Sequence, residues 1–104
     1  MSQITVTKKQ EDDRLTLFLD GRADSSNSER LKDDIMNGLD EVKYIVIDCE
    51  NLSFISSSGL RVLLILFKRI KERGGDLVVT KPTRKVTEIL KITGFNEIFS
   101  IKAI

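Results

Sequence analysis

Three consecutive serines, Ser56, Ser57 and Ser58, stand directly before Gly59 and a long apolar stretch, and they are the residues of this chain best placed to do chemistry. A serine attacks only when a base takes its proton. None of the 104 residues is a histidine, so a Ser-His-Asp arrangement is excluded, and no Ser-x-x-Lys spacing at this site supplies a lysine instead. Hydrolysis by Ser57 is therefore disfavoured. The same serines suit two other roles. One hydroxyl can cap the free N–H groups of the helix that follows. Alternatively, a phosphoryl group placed there would meet those N–H donors and the positive end of the helix dipole.

The remaining inventory excludes more than it selects. Cys49 is the only cysteine and follows the apolar run from Tyr44 to Ile47, which suits a small core or strand-end residue better than a reactive thiol. Without histidine or a second cysteine, histidine metal sites, zinc ribbons and intramolecular disulfides are ruled out, and no metal or cofactor is expected. Seventeen Lys and Arg against sixteen Asp and Glu leave a net charge of +1, which argues against direct nucleic-acid binding. No stretch reaches the roughly 18 to 20 apolar residues of a membrane span, and the first residues lack the apolar segment of a signal peptide. A cytoplasmic location is expected.

The elements that must position the serines follow from periodicity. With 40% hydrophobic and 32% charged residues, the chain reads as one globular domain over residues 1–104. Ile4, Val6 and Lys8 alternate with polar neighbours, and Leu15 to Leu19 alternate again after Glu11-Asp12-Asp13, predicting two strands joined by a tight turn. Gly21 punctuates the chain, and Asp24 is expected in the loop beyond it as a turn or cap residue. Ser26 to Glu29 has the spacing of a capping box, ahead of a helix with Leu31, Ile35 and Leu39 inward.

Tyr44 to Ile47 suits a strand buried on both faces and ended by Asp48, with a polar loop through Asn51 and Ser53. The helix from Leu60 to Ile70 closes at Gly74-Gly75. Leu77 to Val79 makes a further strand, and Pro82-Thr83 opens a helix with Val86, Ile89 and Leu90 inward that ends at Gly94. The last strand is expected around Ile98 to Ile101. Strands alternating with helices demand crossovers, hence an α/β fold whose mixed, mainly parallel sheet has helices packed against it. Loops after the strands, with Asp24 and the serines among them, fall toward one edge.

At about 100° per residue, Leu60, Leu63, Leu64, Phe67 and Ile70 form the core stripe of the serine-headed helix. Val62, Ile65 and Leu66 fall on the other side, amid Arg61, Lys68, Arg69 and Arg73. Two readings stand: a neighbouring helix covers them, or they form an apolar docking patch rimmed by cations.

Ile47-Asp48, Asn51-Leu52-Ser53-Phe54-Ile55 and Ser57-Ser58-Gly59-Leu60 together resemble the signature of bacterial anti-sigma factor antagonists, members of the STAS domain family. Gly21 with Asp24 resembles the family's early G-x-x-D element, and Gly74-Gly75 before Leu77-Val78-Val79 its later glycine-plus-strand segment. The resemblance covers essentially the whole chain. It implies a regulator that is not an enzyme: the antagonist binds an anti-sigma factor that is also a serine kinase and thereby frees a sigma factor. The kinase then phosphorylates the antagonist, and a PP2C-type phosphatase reverses this. By position, the phosphorylated residue is Ser57, with Asp24, Ser56, Ser58, Gly59, Arg61, Val62, Ile65 and Leu66 around it as the partner-binding set.

Two positions depart from the family pattern. Ser56 stands where Asp usually precedes the phosphorylated serine, and Arg61 stands where glycine is frequent. The missing Asp supports an alternative, a non-switching STAS module in a scaffold or a lipid-transport complex, where the serines only cap the helix.

Overall fold

The computed structural model describes residues 3–102. Strands β1 (Ile4–Glu11) and β2 (Arg14–Ala23) form an antiparallel hairpin whose tight turn places Asp12 at φ 57°, a left-handed conformation that Asp tolerates better than most residues. Helix α1 (Ser28–Met36), strand β3 (Tyr44–Ile55), helix α2 (Ser57–Glu72), strand β4 (Asp76–Thr80), helix α3 (Arg84–Thr93), a 3₁₀ turn (Phe95–Glu97) and strand β5 (Ser100–Lys102) follow. The sheet order is β1-β2-β3-β4-β5, and every pair beyond the hairpin is parallel. The α/β fold with a mainly parallel mixed sheet is therefore the one expected from the alternation of strands and helices.

All three crossovers step the same way across the sheet, so right-handed connections bring α1, α2 and α3 to one face. Burial agrees. Leu15, Leu17 and Leu19 on β2, Ile45, Ile47 and Cys49 on β3, and Leu77 and Val79 on β4 are all buried, and the core lies between them and the helices. The opposite face carries Thr16, Phe18, Tyr44, Val46, Asp48, Val78 and Thr80, each partly or fully exposed. The expectation that Tyr44 to Ile47 is buried on both faces is corrected here, because Tyr44 is exposed and Val46 only partly buried, and among the described residues the helices lie on the other face.

Strand β3 also runs on through Asp48 and the expected loop to Ile55. Register shifts between Phe18 and Asp20 and between Gly21 and Arg22 let Asn51, Leu52, Phe54 and Ile55 pair with Asp20, Gly21, Arg22 and Ala23. Gly21 lies inside β2 at φ 115°, where a Cβ would collide with the Gln3 carbonyl, so it marks an irregularity of the strand and not its end. The capping box does not form: α1 begins at Ser28 with Asn27 as its N-cap and no side-chain cap bond. The Ser26 hydroxyl donates instead to Asp24 Oδ1 at 2.6 Å. At the C-terminal end, Phe99 turns into the core against Phe67 and Phe95, with ring centroids 5.6 and 5.5 Å away, which delays β5 to Ser100.

Candidate functional site at the head of helix α2

The serine cluster is built by the junction of β3 with α2. Ser56 leaves the strand at φ −87°, ψ 174° and is the N-cap of α2, its Oγ accepting from the Gly59 N–H at 3.2 Å. Its hydroxyl also shares a hydrogen bond of 2.9 Å with the Ser58 hydroxyl. Two of the three serines are thus engaged with each other and with the helix end. Ser57 occupies the first helical position, is exposed, and its hydroxyl makes no hydrogen bond among the described residues. The first turn of α2 contains no acidic residue, whereas Arg69 and Lys71 lie in the last turn, so nothing in that turn neutralises the positive end of the dipole beside Ser57.

The neighbouring strand fixes this junction from the other side. Ser56 donates its backbone N–H to the Ala23 carbonyl at 2.8 Å, which brings the end of β2 and the start of α2 together. Gly59 is buried, and a Cβ on it would lie 2.8 Å from Ile55 Cγ1 and 3.1 Å from Ala23 Cβ. Its small size sets how closely α2 approaches the sheet.

Asp24 follows Ala23 directly, so the structure brings it to the same edge as the serines, a proximity that spacing alone left open. Its Oδ1 accepts from the Ser26 N–H at 3.0 Å as well as from the Ser26 hydroxyl, and its own N–H donates to Asn27 Oδ1 at 3.0 Å. Buried Asn27 in turn donates to the Arg22 carbonyl at 2.8 Å. The loop that presents Asp24 is therefore held by its own polar side chains.

The outer surface of α2 differs from the expected patch. Val62 is 4% and Leu66 0% exposed, so both belong to the core and cannot meet a partner. The spacing accounts for it: Leu66 lies three residues after Leu63 and four before Ile70, and Val62 four before Leu66, so all four share one continuous buried arc that is turned away from the expected stripe. The docking-patch reading therefore fails for Val62 and Leu66, which are buried. Leu64 and Phe67, expected in the core stripe, are only half-buried. Arg61, four residues after Ser57 and so on the same side of α2, is exposed; Ile65, half-buried, lines a shallow groove with Lys68, Arg69 and Glu72. Arg73 does not rim the patch, since its guanidinium donates to the Leu39 and Val42 carbonyls and ties the approach to β3.

One group beside the serines is absent from the sequence reading. Arg22 and Phe54 are partners across β2 and β3, and the Arg22 guanidinium carbon lies 4.4 Å from the Phe54 ring centroid, with Lys85 Nζ of α3 at 5.9 Å. No local pattern announces this trio, because the register shift in β2 decides which residue faces Phe54. Cys49 is buried, and desolvation with the nearby Asp48 carboxylate pushes its thiol up to about 12. Among the described residues no three His, Cys, Asp or Glu side chains cluster as a metal site requires, and no helix is long and apolar enough to cross a membrane.

A family model for the STAS domain matches residues 4–103. The chain belongs to the STAS domain family. Among STAS relatives, BtrV of Bordetella bronchiseptica, whose name proposes an anti-sigma factor antagonist, is 34% identical over 91 residues, covering 86% of this chain and 78% of BtrV. The anti-sigma-B factor antagonist of Listeria monocytogenes is 26% identical over 96 residues, covering 91% of this chain and 84% of that protein. In fold, the chain is similar to the anti-sigma factor antagonist SpoIIAA in its unphosphorylated form, with a TM-score of 0.81 at 19% identity over 93% of this chain and 87% of SpoIIAA. The phosphorylated form of the Bacillus SpoIIAA gives 0.72 at 18% identity over 93% of this chain and 90% of that one. The STAS fold is thus shared well beyond recognisable sequence identity.

Proposed function

We propose that this STAS domain is an anti-sigma factor antagonist switched by phosphorylation of Ser57. In this reading the unphosphorylated chain binds an anti-sigma factor that is also a serine kinase, frees a sigma factor, and is released when the kinase phosphorylates it. A PP2C-type phosphatase restores the binding form. The site works by recognition, in the cytoplasm, and the partners supply the chemistry.

The observation that carries the proposal is the difference among the three serines. Ser56 and Ser58 are hydrogen-bonded to each other, while the Ser57 hydroxyl is exposed and unengaged at the first position of α2. A phosphate there adds about −1.5 to −2 charge, and its oxygens accept from the free N–H groups of the first turn without loss of the fold. A helix that the serines merely cap accounts for Ser56 and Ser58 but leaves Ser57 without a role. The partner face comprises Asp24, Ser56, Ser58, Gly59, Arg61 and Ile65, with Arg61 in place of the family's frequent glycine. Incubation with the cognate kinase and ATP should add one phosphate by intact-mass analysis, and Ser57→Ala should abolish it. An unphosphorylated wild-type chain, or a phosphorylated Ser57→Ala variant, would overturn the proposal.

A further inference from the structure

Helix α3 breaks a rule of local electrostatics at its first turn. Helix N-termini favour carboxylates and disfavour cations, by about 0.3–1 kcal/mol for each charge. Yet α3 opens with Arg84 and Lys85, and its first turn contains no acid. Both side chains are exposed, and neither they nor Arg22 take part in an ion pair among the described residues. Thr83 anchors this turn to the sheet, its hydroxyl donating to the Leu52 carbonyl at 3.1 Å and accepting from the Val86 N–H at 3.2 Å. The turn that carries the two cations is consequently held against β3. A local conflict of this kind, retained without an internal counter-charge, is what a binding surface leaves behind.

Phe54 gathers two charges, those of Arg22 and Lys85. The Arg22 guanidinium lies over its ring and Lys85 lies within cation–π range of it. Stacking of this sort engages the face of a guanidinium and leaves its in-plane N–H donors free for a carboxylate. Phe54 is three residues before Ser57, at most about 11 Å along the chain, so whatever binds at the serine loop also meets this group.

We propose that Arg22, Phe54, Arg84 and Lys85 form a second docking edge that receives an acidic segment of the protein partner bound at Ser57. Carboxylates on that segment meet three unpaired cations and the positive end of α3, so the cost of cations at a helix N-terminus is offset on binding. The inference rests on the serine loop being the partner face and adds the charge of the surface that this partner must present.

The test is a titration of the isotope-labelled chain with hexaglutamate at low salt, followed by the amide and arginine side-chain resonances, with hexaglutamine and inorganic phosphate as controls. Shifts should centre on Arg22, Phe54, Arg84 and Lys85 with hexaglutamate only. Binding should weaken about two- to fivefold in Arg22→Gln and again in Lys85→Gln, the range for an exposed charged contact, while the remaining spectrum stays that of the folded chain. The proposal is overturned by an absence of shifts, by shifts centred on Arg61 to Arg69, by equal shifts with either control, or by unchanged binding in both variants. Phosphorylation of Ser57 with no peptide response at Arg22 sinks this edge alone. A response at Arg22 without phosphorylation sinks the switch and leaves the edge standing.

Discussion

Ser57 is set apart from its neighbours by what their hydroxyls already do. Ser56 accepts the Gly59 N–H, so Ser56→Ala removes an N-cap and should cost about 0.5–2 kcal/mol in urea unfolding. The Ser57 hydroxyl makes no hydrogen bond among the described residues, and Ser57→Ala should stay within about 0.5 kcal/mol of wild type. Ser57→Asp places a negative charge on the bare end of α2 and should stabilise the fold by about 0.3–1 kcal/mol, while weakening binding to the kinase. A variant that gains stability as it loses its partner separates switching from unfolding. The buried Cys49 gives a different signature. Its folded value of about 12 lies above that of an unfolded thiol, so its contribution to stability is complete below the unfolded value, near 8.5, and is lost as pH rises toward the folded one. Unfolding free energy should therefore fall with pH above about 9, by at most about 1.4 kcal/mol per unit, and Cys49→Ala should flatten that slope.

At the scale of elements, α2 shows both what sequence periodicity reveals and where it stops. The order of strands and helices, the opening of α3 at Pro82-Thr83 and its end at Gly94 were all legible, since each depends on neighbours within a few residues. The rotation of α2 was not, because apolar residues occupy most of its circumference and several arcs suit a core; the one buried runs through Val62, Leu63, Leu66 and Ile70. Leu66→Ala should accordingly cost about 2–5 kcal/mol, as core truncations do, whereas Ile65→Ala should cost much less and act on partner binding. The Arg22–Phe54–Lys85 group was invisible for a related reason: a register shift between β2 and β3 and the anchoring of α3 bring together residues 63 positions apart in the chain, from Arg22 to Lys85. Gly59→Ala probes the same junction. Its Cβ would press on Ile55 and Ala23, so a loss of about 1–3 kcal/mol is expected, with the start of α2 pushed off the sheet.

For the molecule as a whole, the sheet separates a packed side from an open one, and the serine loop, Asp24 and the Phe54 group all sit where β2 and β3 end. A net charge of +1 becomes about −0.5 to −1 on one phosphorylation, but the local field near Arg61 and Arg22 matters more, since screening at physiological salt confines charge effects to about 8 Å. The central claim is that one phosphate on Ser57 decides whether the chain can take an anti-sigma factor away from its sigma factor. The direct measurement adds the chain, unphosphorylated or phosphorylated, to a preformed complex of the cognate anti-sigma kinase with its sigma factor and follows sigma release by size-exclusion chromatography. Release by the unphosphorylated chain and none by the phosphorylated chain is the predicted result. Equal release by both forms, or by neither, would contradict it.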